Sequence, residues 1–176
     1  MNQTGDALNE YSKKHPYQEG IPMTIEGFNP QVSWFKRGTE NLPESDVPVS
    51  DAIQAIKTGR FQREVQEIRS RFARALARTD GDREAAKKAV EGLKKRLPGA
   101  TFSGIFGIRA NKHLKNHSGL VCADLDYLGN KIEAVRSALV ADEHLFGIFT
   151  SPTGDGLKAL YRIPVCENEA QASGRV

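Results

Sequence analysis

At Thr101 the spacing of apolar residues changes from every third or fourth position to every second, and that switch limits what this 176-residue chain can fold into. Upstream, Phe61, Val65, Ile68, Phe72, Ala75 and Leu76 form one stripe of a helix over 61–78. Ala86, Val90, Leu93 and Leu97 form a second over 83–96, set off by Thr79-Asp80-Gly81-Asp82 and closed by Pro98-Gly99. A shorter helix, with Ser50 as its N-cap, carries Ala52, Ile53 and Ile56 and stops at Gly59. Downstream, 101–108, 119–126, 145–150 and 157–163 read as strands and 131–140 as a helix. The last two strands are close enough to form a hairpin beside strand 119–126. Helices grouped ahead of a β-α-β-β order over 119–163 predict an α+β fold with an N-terminal basic helical segment.

The remaining stretches set the boundaries. Residues 1–28 have few apolar positions in register and read as a flexible arm, and 166–176 as a polar tail. Between them, 29–165 is one domain, with 50–97 as the helical segment and 100–165 as the sheet core. Gln31 to Lys36 is a short strand whose Trp34 is a packing residue. Asn41 to Pro48 is a turn-rich connector, and Arg109 to His117 a loop. A hydrophobic fraction of 39% and a charged fraction of 27% suit a soluble globular protein. No apolar run approaches the ~20 residues of a membrane span, and Met1 to Asp6 lacks signal-peptide character, so a cytoplasmic location without membrane contact is expected. Cys122 and Cys166 are too few for a disulfide framework and are expected to be reduced.

Positive charge is concentrated in the helices. The net charge is only +3, yet 57–96 holds 13 basic against 6 acidic residues. One reading is a solvated face laced with pairs such as Glu67 with Arg71 and Glu84 with Lys88. The other is a surface that tracks a phosphate backbone, with Arg60, Arg63, Arg71, Arg74, Lys87 and Lys94, together with Arg109, as the contacts.

The chemistry is expected in Ser118-Gly119-Leu120-Val121-Cys122-Ala123-Asp124-Leu125-Asp126. An apolar strand delivers two carboxylates two residues apart, and alternation aims both the same way. Left without a cation they repel; a hard divalent metal, Mg²⁺ or Mn²⁺, is the economical partner. The same spacing also serves as a turn entry with solvated acids. Ser151-Pro152-Thr153-Gly154-Asp155-Gly156-Leu157-Lys158 joins hydroxyls, glycines and a lysine in a turn able to hold phosphates through Ser151, Thr153, Gly154, Gly156 and Lys158, though such turns also occur in hairpins that bind nothing. His113 and His117 have a zinc-compatible spacing, but no further ligand stands ready, so surface histidines are expected.

Ser118–Asp126 and Ser151–Lys158 in this order, with Thr101-Phe102-Ser103-Gly104-x-Phe106 ahead of them, resemble the N-terminal domain of VirE-type primase-polymerase proteins, a branch of the archaeo-eukaryotic primase superfamily. The similarity runs from about Val32 to Ile163 and includes Ile56-Lys57-x-Gly59-Arg60. It implies an RRM-like sheet with Asp124 and Asp126 as the catalytic, metal-binding first motif of a DNA primase/polymerase-type nucleotidyltransferase, in the replication setting of a mobile element or phage. The implied ligands are a nucleoside triphosphate, Mg²⁺ or Mn²⁺, and single-stranded or primer-template nucleic acid, with a helicase domain or partner downstream. Two departures stand out. Lys158 occupies the place of a nucleotide-contacting histidine, and past Ile163 only Glu167 and Glu169 could stand for the third acidic motif.

A rival is a non-catalytic nucleic-acid- or protein-binding module that keeps the fold without that third carboxylate. A haloacid-dehalogenase-type phosphatase also starts from Asp-x-Asp on a strand, but wants a Thr where Leu128 stands. A glycosyltransferase Asp-x-Asp lacks a preceding nucleotide-binding βαβ fingerprint.

Overall fold

The computed structural model describes residues 27–165. Among the described residues the fold is α+β, with four α-helices and three small antiparallel sheets. Strand β1 (Gln31–Phe35) lies between β2 (Ser45–Pro48) and β3 (Gly99–Thr101). Strands β4 (Gly104–Phe106) and β5 (Leu114–His117) pair with each other. The third sheet has the order β6 (Leu120–Leu125), β8 (Leu157–Arg162), β7 (Leu145–Thr150). The helices are α1 (Val49–Lys57), α2 (Gln62–Arg78), α3 (Arg83–Lys94) and α4 (Ile132–Val140).

The third sheet positions the site. Strand β8 pairs antiparallel with both neighbours, so β6 and β7 run parallel across it and β6-α4-β7 is a split βαβ unit. The last two strands are thus joined by a hairpin, but β8 is inserted beside β6 and leaves β7 at the edge. Alternation along β8 gives the sheet two buried faces. Leu157 and Ala159 pack with Ile148 beneath Ile132 of α4, while Leu160 joins Leu120 and Phe146 against Val32, Val49 and Ile53 of β1 and α1. Helices α2 and α3 close a separate core around Val65, Ile68, Phe72, Ala86 and Val90. Burying a handful of such side chains, at about 1.5–3 kcal/mol each, is what holds this hairpin of otherwise charged helices together.

Several sequence expectations need correction. The connector 41–48 contains strand β2; its prolines are tolerated because β2 is a sheet edge, where a missing N–H costs no ladder bond. Ser50 is not the cap of α1, which starts at Val49 after Pro48. Asn29 serves there instead, accepting from Ser50 N at 3.1 Å. The strand 101–108 is interrupted, since Phe102 turns into the core and the chain restarts at Gly104, which has no Cβ to strike the carbonyl of Asn116. Ile108, the last residue of that expected strand, falls beyond β4 and is exposed. The loop 109–117 ends in β5, a strand with exposed residues and therefore no apolar alternation to betray it. The arm 1–28 ends early: Phe28 packs edge-on against Phe146 under the Arg162 guanidinium. Residues 1–26 and the tail 166–176, with Cys166, Glu167 and Glu169, lie outside the described residues. No helix among the described residues is long and apolar enough to cross a membrane.

Candidate functional site

Strand β6 ends where β8 begins, and their antiparallel register sets Asp124 opposite Lys158. The Lys158 Nζ donates to Asp124 Oδ2 at 2.6 Å. Asp126 lies one residue past the strand and pairs with Lys87 Nζ of α3 at 2.5 Å. The two carboxylates remain open to solvent, with side chains 53% and 44% exposed, whereas that of Lys87 is only 14% exposed. Tyr127 follows with φ at +60°, an unusual conformation for an aromatic residue, and Lys87 Nζ sits 4.0 Å from its ring centroid. Gly156 makes room for this corner: a Cβ there would run into the Leu125 carbonyl and lie 3.2 Å from Asp126 Oδ1.

Helix α3 supplies the cations by its spacing. Arg83, Lys87 and Lys94 fall at i, i+4 and i+11 and so share one face. Arg83 Nε bonds Asp155 Oδ1 at 3.1 Å, and Lys87 takes Asp126. Lys94, half-buried, feels both Asp124 and Asp126; burial first, then repulsion from Lys87, lowers its ammonium below the usual lysine range. Asp82 starts the helix by accepting from the amides of Glu84 and Ala85, which fixes where the face points. Lys87, expected among outward nucleic-acid contacts, is therefore tied to the acid corner, with Lys94 on the same helix face, and Arg83 joins them as a residue the sequence reading did not single out. Its i−4 spacing from Lys87 was the available signal.

The hairpin turn behaves differently. Ser151 and Thr153 are buried, and their hydroxyls bond each other at 3.1 Å. The Ser151 amide donates to Gly156 O and the Gly154 amide to Ser151 O. Asp155, 2% exposed, accepts from Gly129 N and Arg83 Nε through Oδ1, and its backbone carbonyl accepts from Leu128 N. Its Oδ2 is buried without a hydrogen-bond partner. The turn thus clasps the 126–129 segment and α3. Of the side chains predicted to contact phosphate, Lys158 alone reaches the acid corner as an ion pair.

The other basic candidates are dispersed. Arg60, Arg63, Arg71 and Arg74 are exposed on or beside α2, with Arg71 paired to Glu67 at 2.8 Å and Arg74 bonded to Ser70 O. Arg109 lies apart from them, over the Phe35 ring, and donates to Gly38 O. His117 Nδ1 accepts from Gly119 N, a local structural role. Cys122, a free thiol two residues before Asp124, is raised above the ordinary thiol range by burial; Lys158 opposes that shift and Asp124 adds to it.

Among the described residues no three His, Cys, Asp or Glu side chains gather as a metal cage. Two accessible carboxylates nevertheless fit Mg²⁺ or Mn²⁺ in the manner usual for these ions, where one or two carboxylates are completed by substrate phosphates and water. Lys87 and Lys158 each pair with one of these carboxylates, and Lys94 lies near enough to feel both.

A family model described as BT4734-like, N-terminal domain matches residues 92–175, a little under half of the chain. The match begins within α3 and takes in Lys94, both aspartates and Lys158, leaving Lys87 and Arg83 outside it. No curated protein and no solved structure matches the chain.

Proposed function

We propose that this chain carries the metal-dependent nucleotidyltransferase core of a DNA primase/polymerase, built on an RRM-like arrangement of the β6-α4-β7-β8 unit. The observation that carries this reading is the pairing of Asp124 with Lys158 across adjacent strands, with Asp126 beside them at the glycine that ends the hairpin. A carboxylate pair and a phosphate-seeking ammonium are the complementary halves of a metal–nucleotide site. The split βαβ order agrees with an RRM-like core, as does the position of the acids at the end of its first strand.

In this reading Asp124 and Asp126 hold Mg²⁺ or Mn²⁺ arriving with the nucleoside triphosphate. The cation supplies charge neutralisation at the transferring phosphoryl group. Lys158 and Lys87, the lysines beside these aspartates, would supply ammonium groups to the phosphate oxygens of the triphosphate. The buried clasp of Asp155 keeps the hairpin, and hence Lys158, at a fixed height beside β6. Arg60, Arg63, Arg71 and Arg74 on the exposed face of the helical segment are placed to follow single-stranded or primer-template nucleic acid.

The test is nucleotide incorporation on a primed template with Mn²⁺ or Mg²⁺. Asp124→Asn and Asp126→Asn are each expected to lose incorporation by at least about a thousandfold, the scale of removing preorganised transition-state stabilisation. Activity unchanged in both variants refutes the assignment. Calorimetry adds a second reading: Mn²⁺ alone should bind weakly, and Mn²⁺ with a non-hydrolysable triphosphate tightly.

A second reading, a nucleic-acid- or protein-binding module without catalysis, is favoured by one feature: each aspartate already has a lysine partner that a metal must displace. Salt-dependent single-strand binding that EDTA leaves unaltered, with no incorporation by the wild-type chain, selects it.

A further inference from the structure

A cavity of about 480 Å³ opens between the start of the helical hairpin and the sheet face bearing Cys122 and Lys158. Its walls come from strands of two sheets and from α1 and α2, and most of them are apolar. Trp34 and Phe61 line it together, with ring centroids 6.3 Å apart and planes inclined by 28°. The charged residues on its wall, Arg109 and Lys158, are both cations. Thr101, Ser103 and Thr150 line the same wall; the Thr101 hydroxyl donates to Ser33 O and Gly104 O, and that of Thr150 accepts from Arg136.

Each feature narrows the ligand. The volume falls within the roughly 300–1,000 Å³ typical of small-molecule sites. Aromatic walls suit a flat apolar body, and the two wall cations, Lys158 already paired with Asp124 and Arg109 seated over Phe35, suit an anionic end. The Ser103 side chain adds a hydroxyl that suits a ring nitrogen or carbonyl. Lys158 belongs both to this wall and to the acid corner, where its ammonium holds Asp124. A ligand in the cavity therefore reaches the carboxylate pair through its charged end.

We propose that this cavity receives the base and sugar of a single nucleotide, with the phosphate end directed to Lys158 and Arg109. The proposal rests on the nucleotide reading of the Asp124–Asp126 corner and adds where the remainder of the nucleotide sits. The same chemistry is offered by a free nucleotide and by an unpaired nucleotide within a strand.

Trp34 is the chain's one tryptophan and lines the cavity, so its emission reports occupancy. In EDTA, without turnover, the full chain is titrated with deoxyadenosine 5′-monophosphate, deoxyadenosine and a short oligothymidylate. Saturable quenching by the monophosphate, weaker with the nucleoside, is expected; saturation by the oligonucleotide alone assigns the site to a strand and also upholds the proposal. Ser103→Phe fills the cavity from a turn and Ala100→Leu from β3. Each should weaken binding by roughly tenfold or more, the scale of losing one base–aromatic stack, and a urea midpoint identifies which variant keeps its fold. No saturable quenching by any of the three, quenching untouched in a folded filled variant, or quenching by a medium-chain fatty acid in their place overturns it. Incorporation by the wild type without quenching removes the cavity alone, whereas quenching without incorporation removes the enzymatic reading alone.

Discussion

The strand end at Asp124–Asp126 and the hairpin turn at Ser151–Gly156 are neighbours with opposite designs. Both are short and carry acids, and both look like ligand contacts in one dimension. The strand end turns its carboxylates outward, where ion pairs with solvent-open acids contribute about 1 kcal/mol or less each. The turn folds its hydroxyls and its one carboxylate inward, where they hold the loop against the 126–129 segment and Arg83. A set of polar residues thus divides into a part left open to solvent and a part that fixes its position.

Removing the inward acid should have the largest effect on stability. Asp155→Ala leaves Arg83 and the Gly129 amide without their acceptor and is expected to cost about 3 kcal/mol, read as a lower urea midpoint; Asp124→Ala should cost less than about 1 kcal/mol. Equal losses would erase the distinction between the two regions. Next comes Gly156→Ala. Its new methyl group meets the Leu125 carbonyl, so strand β6 must shift, at about 2 kcal/mol. That variant should also weaken triphosphate binding, because Asp126 moves with the strand. Separate loss of one property without the other would show that the hairpin does not set the height of the acids.

The smallest effect sharpens the electrostatics. Burial raises the Cys122 thiol, and the folded chain holds that proton after the unfolded chain has released it. Stability is therefore flat below the ordinary thiol range and declines as pH climbs through it. In a Cys166→Ser background, alkylation of Cys122 should turn on at higher pH than in a free peptide. Asp124→Asn should move that onset down, and Lys158→Met should move it up. An onset that ignores both substitutions would separate the thiol from the acid corner.

Much of this was legible in one dimension, for identifiable reasons. The stripes of α2 and α3 follow from long amphipathic periodicity, and β6, β7 and β8 from dense apolar runs, because burial on a sheet or helix face leaves a repeating trace. Strands β2 and β5 left none: each is edge-like, polar and held by backbone pairing. The pairing of Asp124 with Lys158 depends on an antiparallel register that only the sheet order defines. The inward turn of Ser151 and Thr153 was invisible too, since a hydroxyl that caps its own loop and one that faces a phosphate are the same residue in sequence. Lys87 and Lys94 were recognisable as bases, but the acids near them lie about thirty to forty positions away.

The insertion of β8 between β6 and β7 has a consequence for how the site comes into being. Strand β6 borders β8 alone, so during synthesis Asp124 and Asp126 emerge well before the segment that gives their strand a ladder. A nascent chain that has not yet reached Leu157 holds both acids and the two helical lysines, yet has no means of keeping them in one place. Assembly of the corner is the closing event of this sheet, and any cut made within 157–162 disperses it while leaving the α2–α3 hairpin with its own core.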